Sequence, residues 1–257
     1  MIIKKLPSIS YLALIYLFFY IPIITLIVYS FNQSQYSLVW HGFTWQWYVE
    51  LFNDYDLWLA AWHSLYLGVT AATIATCIGM LAAVTLYRYR FFGRNFLNAL
   101  VFILILSPEI VTAVSLLTLF TLIRLPLGFF SLLLAHISFC IPFVVITTYS
   151  HLVTFDKNIF EAAKDLGATD REIFARIVLP LLKPALAAGW LLSFTLSLDD
   201  VIISYFVSGP EFQILPLRVY SLVRSGIKPE INALCAVLFS VTLLLIMLSQ
   251  FMQRKKA

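Results

Sequence analysis

The feature that most constrains this chain is the recurrence of apolar runs about as long as a bilayer is thick. They lie at about 9–31, 63–86, 96–123, 129–149, 184–206 and 231–252, each near the roughly 20 residues that a spanning helix needs. Inside a membrane every backbone polar group must be satisfied within its own segment, so runs of this length fold as helices. Charged residues make up only 12% of the sequence, against about 25% in soluble domains. The expectation is an all-α integral membrane protein, a bundle of six transmembrane helices forming one domain over residues 1–257. The second run carries Gly68, Ala71, Ala72, Ala75, Gly79, Ala82 and Ala83, and small residues at that density imply close helix-helix contact. The first run is longer than a signal-peptide core and lacks a small-residue cleavage pattern, so it is expected to remain in the protein.

The net charge of +4 does not point to nucleic acid, because the basic residues cluster at the ends of the apolar runs. With the N-terminus in the cytoplasm, Lys4, Lys5, Arg88, Arg90, Arg94, Lys157, Lys164, Arg171, Arg176, Lys183, Arg254, Lys255 and Lys256 fall inside. Arg124, Arg218, Arg224 and Lys228 fall outside, so thirteen of the 17 Lys and Arg are cytoplasmic. That asymmetry sets the orientation, with both termini cytoplasmic. Cys77, Cys140 and Cys235 lie within apolar segments with no paired spacing, which supports neither a disulfide framework nor a zinc site.

The segment at about 155–180 is the one long charged stretch, and its mechanics read as two short helices. Asp156 is placed to cap the first, Gly167 stands where a left-handed C-cap belongs, and Thr169 with Glu172 has the spacing of a capping box. The second helix carries Ile173, Phe174 and Ile177 on one side, and Pro180 is expected to end or kink it. Glu161-Ala162-Ala163, then Gly167, then Ile177, Leu179 and Pro180 resembles the E-A-A loop of bacterial ABC-importer permeases. That resemblance implies a cytoplasmic coupling loop docked on an ATPase. The alternative is an amphipathic helix resting on lipid headgroups, which requires no such spacing.

Three acids, Glu109, Asp199 and Asp200, fall inside expected membrane helices, where an ionised carboxylate costs roughly 2.5 kcal/mol or more. Such residues are candidates for a substrate pathway. Gly189, Ser193, Ser197, Asp200 and Ser204 recur at helical spacing and read as one pathway wall, which favours Asp200 as lumen-facing over Asp199. Five of the six tryptophans lie between Trp40 and Trp62. They read either as interfacial anchors or, with Trp45 and Trp47, as a cage for an organic cation.

No Gly is followed by Lys, so the phosphate-cradling P-loop is absent, and no hydrolase or metalloprotease motif appears. The stretches 86–91, 161–167, 187–190 and 193–201 are similar to the polyamine (spermidine/putrescine) branch of the ABC-importer permeases. The resemblance implies an inner-membrane subunit that pairs with a second, similar permease, with two copies of a cytoplasmic ATPase and with a periplasmic polyamine-binding protein. No cofactor is then held by this chain, and ATP and Mg belong to the ATPase. It also implies Asp where this sequence has Glu109, which keeps the charge and changes its reach. The rival reading is an ion- or proton-coupled secondary transporter using the acids as relay sites. It leaves the E-A-A spacing unexplained.

Overall fold

The computed structural model describes residues 6–34, 39–156, 158–224 and 229–254. Lys4, Lys5, Lys157, Lys228, Lys255 and Lys256, which contribute to the basic asymmetry, lie outside the described residues. The elements are α1 (Leu6–Tyr29), α2 (Gln46–Asn53), α3 (Tyr55–Arg88), α4 (Arg94–Leu106), α5 (Glu109–Leu122) and α6 (Phe129–Val153). They continue with α7 (Asn158–Asp165), α8 (Asp170–Ile173), a π-helical turn (Phe174–Val178), α9 (Leu179–Asp199), α10 (Ile202–Val207), α11 (Leu215–Arg224) and α12 (Pro229–Arg254). The fold is all-helical, as the apolar runs require.

The six apolar runs fall on α1, α3, α4 with α5, α6, α9 with α10, and α12. Four helices among the described residues are long and apolar enough to cross a membrane alone, and α4 with α5 makes a fifth if the bent pair is one span. The last apolar run lies on α12, a helix of 26 residues, of which Pro229–Leu244 is the apolar part among the described residues. Two expected helices are broken. The run at 96–123 bends by 114° between α4 and α5, because Pro108 removes a backbone donor and holds Ser107 extended, at ψ 134. The run at 184–206 breaks at Asp200, whose ψ is 121.

The chain divides into two compact units, Met1–Trp58 with Val219–Ala257, and Leu59–Arg218. In the first, α12 packs on α1 and α2. The segment before α2 is pinned by Asn32, which is 1% exposed. Its side-chain amide donates to Val39 O at 2.9 Å, its Oδ1 accepts the His41 N–H at 2.9 Å, and its carbonyl accepts the Trp47 indole N–H at 2.7 Å.

The second unit is built on close contact between α3, α6 and α9. Ala71, Ala72, Ala75 and Ala83 are fully buried, and a Cβ on Gly79 would sit 2.7 Å from Val144, so α3 and α6 touch backbone to side chain. One core joins Ala113, Phe120, Leu132, Ala135, Ile203 and Val207. Another joins Leu86, Leu152, Ala163, Ile173, Val178 and Leu182. This second core carries the charged segment on its surface.

Candidate functional site

The segment from Asp156 to Pro180 folds largely as its residues dictate. Asp156 Oδ1 accepts the Asn158 N–H at 3.0 Å and opens α7. Gly167 closes it in the left-handed region at φ +81, with Gly167 N–H on Lys164 O and Ala168 N–H on Ala163 O. Thr169 Oγ1 then accepts the Glu172 N–H, and Glu172 Oε2 accepts the Thr169 N–H at 3.0 Å, a reciprocal capping box. Pro180 does not end the helix. The π turn carries the Leu179 N–H back to Phe174 O, and Pro180 follows it inside one continuous helical run, Asp170–Asp199, the widened turn accommodating the proline.

The inner face of this segment is apolar, with Ala163 at 6%, Ile173 at 0% and Val178 at 1% exposure; Ile177 and Leu179 are half-buried. Its outer face presents Glu161, Ala162, Lys164 and Leu166. Two features here were not legible in the sequence. Leu166 is 88% exposed, a large apolar side chain on the turn itself. Arg88, at the end of α3, forms an ion pair with Asp170 and lies over the Phe160 ring at 5.8 Å. The sequence placed Arg88 as a topology signal and within the stretch 86–91, not as the partner of Asp170, which is 82 residues away.

The acids are arranged differently from the sequence expectation. Asp200 is buried, not lumen-facing. Its Oδ1 accepts the Ile203 N–H at 3.1 Å, and its Oδ2 accepts the Ser204 N–H at 2.8 Å and hydroxyl at 2.7 Å, so it caps α10. His136 on α6 completes the network, with Nδ1 2.7 Å from Ser197 Oγ and Nε2 2.9 Å from Ser204 Oγ. His136 Nε2 also lies 3.6 Å from Asp200 Oδ2. Gly189, Ser193 and Ser197 are likewise buried, and Cys140 Sγ meets Ser193 O at 3.4 Å. The expected pathway wall is therefore a packing face covered by α6. Its small side chains let the helices approach.

Asp199 is exposed at the end of α9, and Glu109 is exposed in the first turn of α5. Each stands at a helix break rather than within a continuous helix, and the amide dipoles of the α5 N-terminus favour the Glu109 carboxylate. Trp47 is 4% exposed with its N–H spent on Asn32, so it holds the loop. Trp45 is 60% exposed, its ring 4.9 Å from Phe31 and 5.5 Å from both Phe43 and Tyr48.

Residues 75–255 match the family of binding-protein-dependent transport system inner membrane components. The chain belongs to this family. The permease is 53% identical over 247 residues to the spermidine/putrescine transport system permease protein PotC of Escherichia coli (strain K12), covering 96% of this chain and 94% of that one. The Haemophilus influenzae protein of the same name is 51% identical over 246 residues, with 96% of each chain covered. The putrescine transport system permease protein PotI of Escherichia coli (strain K12) is 42% identical over 228 residues, covering 86% of this chain and 81% of that one. Among solved structures, a bacterial ABC transporter involved in the import of alginate aligns with TM-score 0.74 at 18% identity, covering 98% of this chain and 96% of that one. The inward-facing MetNI methionine ABC transporter aligns with TM-score 0.63 at 19% identity, covering 76% and 94%. These structures share the fold. Membership makes the permease a multi-pass transport subunit and sets aside the secondary-transporter reading.

Proposed function

We propose that this permease is the membrane subunit of an ATP-driven importer of polyamines such as spermidine and putrescine. The observation that carries this reading is the 53% identity, over 96% of the chain, to a spermidine/putrescine permease. A polyamine is a chain of ammonium groups joined by methylenes, so its path requires carboxylates or aromatic faces and disfavours cations. Glu109 and Asp199, exposed at two helix breaks, supply the carboxylates. Asp200, His136, Ser197 and Ser204 hold the α9–α10 break that presents Asp199. Ser193 adds a small contact to the same packing face, and Trp45 offers an exposed ring.

The segment 155–180 is the coupling element. Glu161, Ala162, Leu166 and Gly167 form the surface offered to a cytoplasmic ATPase, with Ala163 and Ile177 packed on the core beneath it and Leu179 and Pro180 leading the chain on into α9. ATP and Mg are bound by two copies of that ATPase, and a second, similar permease completes the membrane pore. A periplasmic polyamine-binding protein delivers substrate, and both termini face the cytoplasm. Closure of the ATPases would draw the coupling segments together and open the bundle outward.

The test is purification of the intact complex in mild detergent. A P-loop ATPase and a second permease should co-purify, and ATP hydrolysis should rise when polyamine-loaded binding protein is added. Hydrolysis indifferent to polyamine but raised by another loaded binding protein would overturn the substrate assignment.

A further inference from the structure

A cavity of about 460 Å³ opens between the turn Leu127–Phe129 and the loop Pro210–Phe212, within the range of small-molecule sites. It lies at the start of α6, a helix of 25 residues that spans about 37 Å, so it is at the opposite end from the coupling segment. The two walls are locked together, because a Cβ on Gly209 would fall 2.2 Å from Leu127 O. Phe129 and Phe212 meet edge to face at 5.2 Å and 64°. Each ring is braced from behind, Phe212 by His63 stacked at 4.0 Å and Phe129 by Tyr66 at 5.3 Å. His63 is itself held by Nδ1 at 3.0 Å from Gln213 O.

Glu211 is the one charged side chain in the lining. One of the donors at the α6 N-terminus is unavailable to an anion in this cavity. The Gly128 N–H is already bonded to Ser131 Oγ at 2.8 Å, and the Ser131 hydroxyl turns to Val207 O at 2.7 Å. Two fixed aromatic rings beside a single carboxylate suit a group that is positive at one end and apolar behind it.

We propose that this cavity binds a primary alkylammonium group, one end of a polyamine, on the extracytoplasmic side before it enters the pathway. Naming the ligand as a polyamine rests on the function proposed above; the ammonium chemistry rests on the cavity alone. Glu211 takes the ammonium, and the Phe129 and Phe212 rings take the adjoining methylenes and add cation attraction.

The probe is propylammonium, followed by saturation-transfer NMR on the whole transporter complex in lipid nanodiscs. Binding is expected in the native complex, weakened about tenfold in Glu211→Gln, the loss of one charge-assisted contact. It should be largely restored by Glu211→Asp. Phe212→Leu should weaken binding while Phe212→Trp keeps or strengthens it, an ordering that cation attraction gives and simple space-filling does not. Propylammonium binding unchanged in both Glu211→Gln and Phe212→Leu would overturn the site. So would intact propylammonium binding with lost docking of the delivery protein, which would make this face a protein contact. Putrescine uptake by the same complexes separates the two claims. Uptake without a variant-sensitive propylammonium site refutes the site and leaves the function. A variant-sensitive site without putrescine uptake supports the site and refutes the function.

Discussion

Asp199 and Asp200 are neighbours in sequence with opposite surroundings, and the difference decides what each can do. Asp200 spends both oxygens on Ile203 and Ser204, so removing its carboxylate leaves buried donors unmatched, at a cost of about 1–3 kcal/mol. Asp200→Ala is therefore expected to lower the unfolding temperature of the purified permease, and Asp199→Asn to leave it unchanged. Polyamine uptake should reverse the order at equal membrane content, with Asp199→Asn and Glu109→Gln each losing about tenfold through one charge-assisted contact. Full uptake in both variants would remove these acids from the pathway. Helical spacing alone had aligned Asp200 with Ser193 and Ser197. It misread the face because an apolar neighbour and an open path both accept small polar side chains, and only the position of α6 separates them.

At the scale of elements, the coupling segment is the part most legible in the sequence. Its caps are local, each within a few residues, so Asp156, Gly167, Thr169 and Glu172 declared them. What the residues did not declare is the contact that orients it, since Arg88 and Asp170 come together only through the fold. Gly167 holds φ +81, a backbone that costs an L-residue roughly 1–2 kcal/mol. Gly167→Val should leave insertion intact and reduce uptake and polyamine-stimulated ATPase activity together. A charge exchange tests the ion pair. Arg88→Asp and Asp170→Arg should each lower uptake per ATP hydrolysed, and the double variant should recover most of it; no recovery would show that the pair does not orient the segment. The breaks at Ser107-Pro108 and Asp200 were not legible in the sequence. The run at 96–123 reads as one helix across Pro108, whose effect on the backbone only the structure shows, and Asp200 was visible only as an acid and not as a cap.

For the whole molecule, the apolar runs settled the class of fold because a bilayer leaves a chain few alternatives. The thirteen-to-four division of basic residues sets the expected orientation, and a cysteine replacing Asp170 should react with an impermeant maleimide only from the cytoplasmic side. The substrate was not written in any single motif, since carboxylates and aromatic rings serve many cations. The most direct measurement is uptake of radiolabelled spermidine and putrescine into proteoliposomes holding the full complex, with loaded binding protein outside and ATP inside. Uptake that requires internal ATP and persists after the proton gradient is collapsed is the expected result. Uptake driven by the gradient without ATP, or ATP-driven uptake that excludes both polyamines, would contradict it.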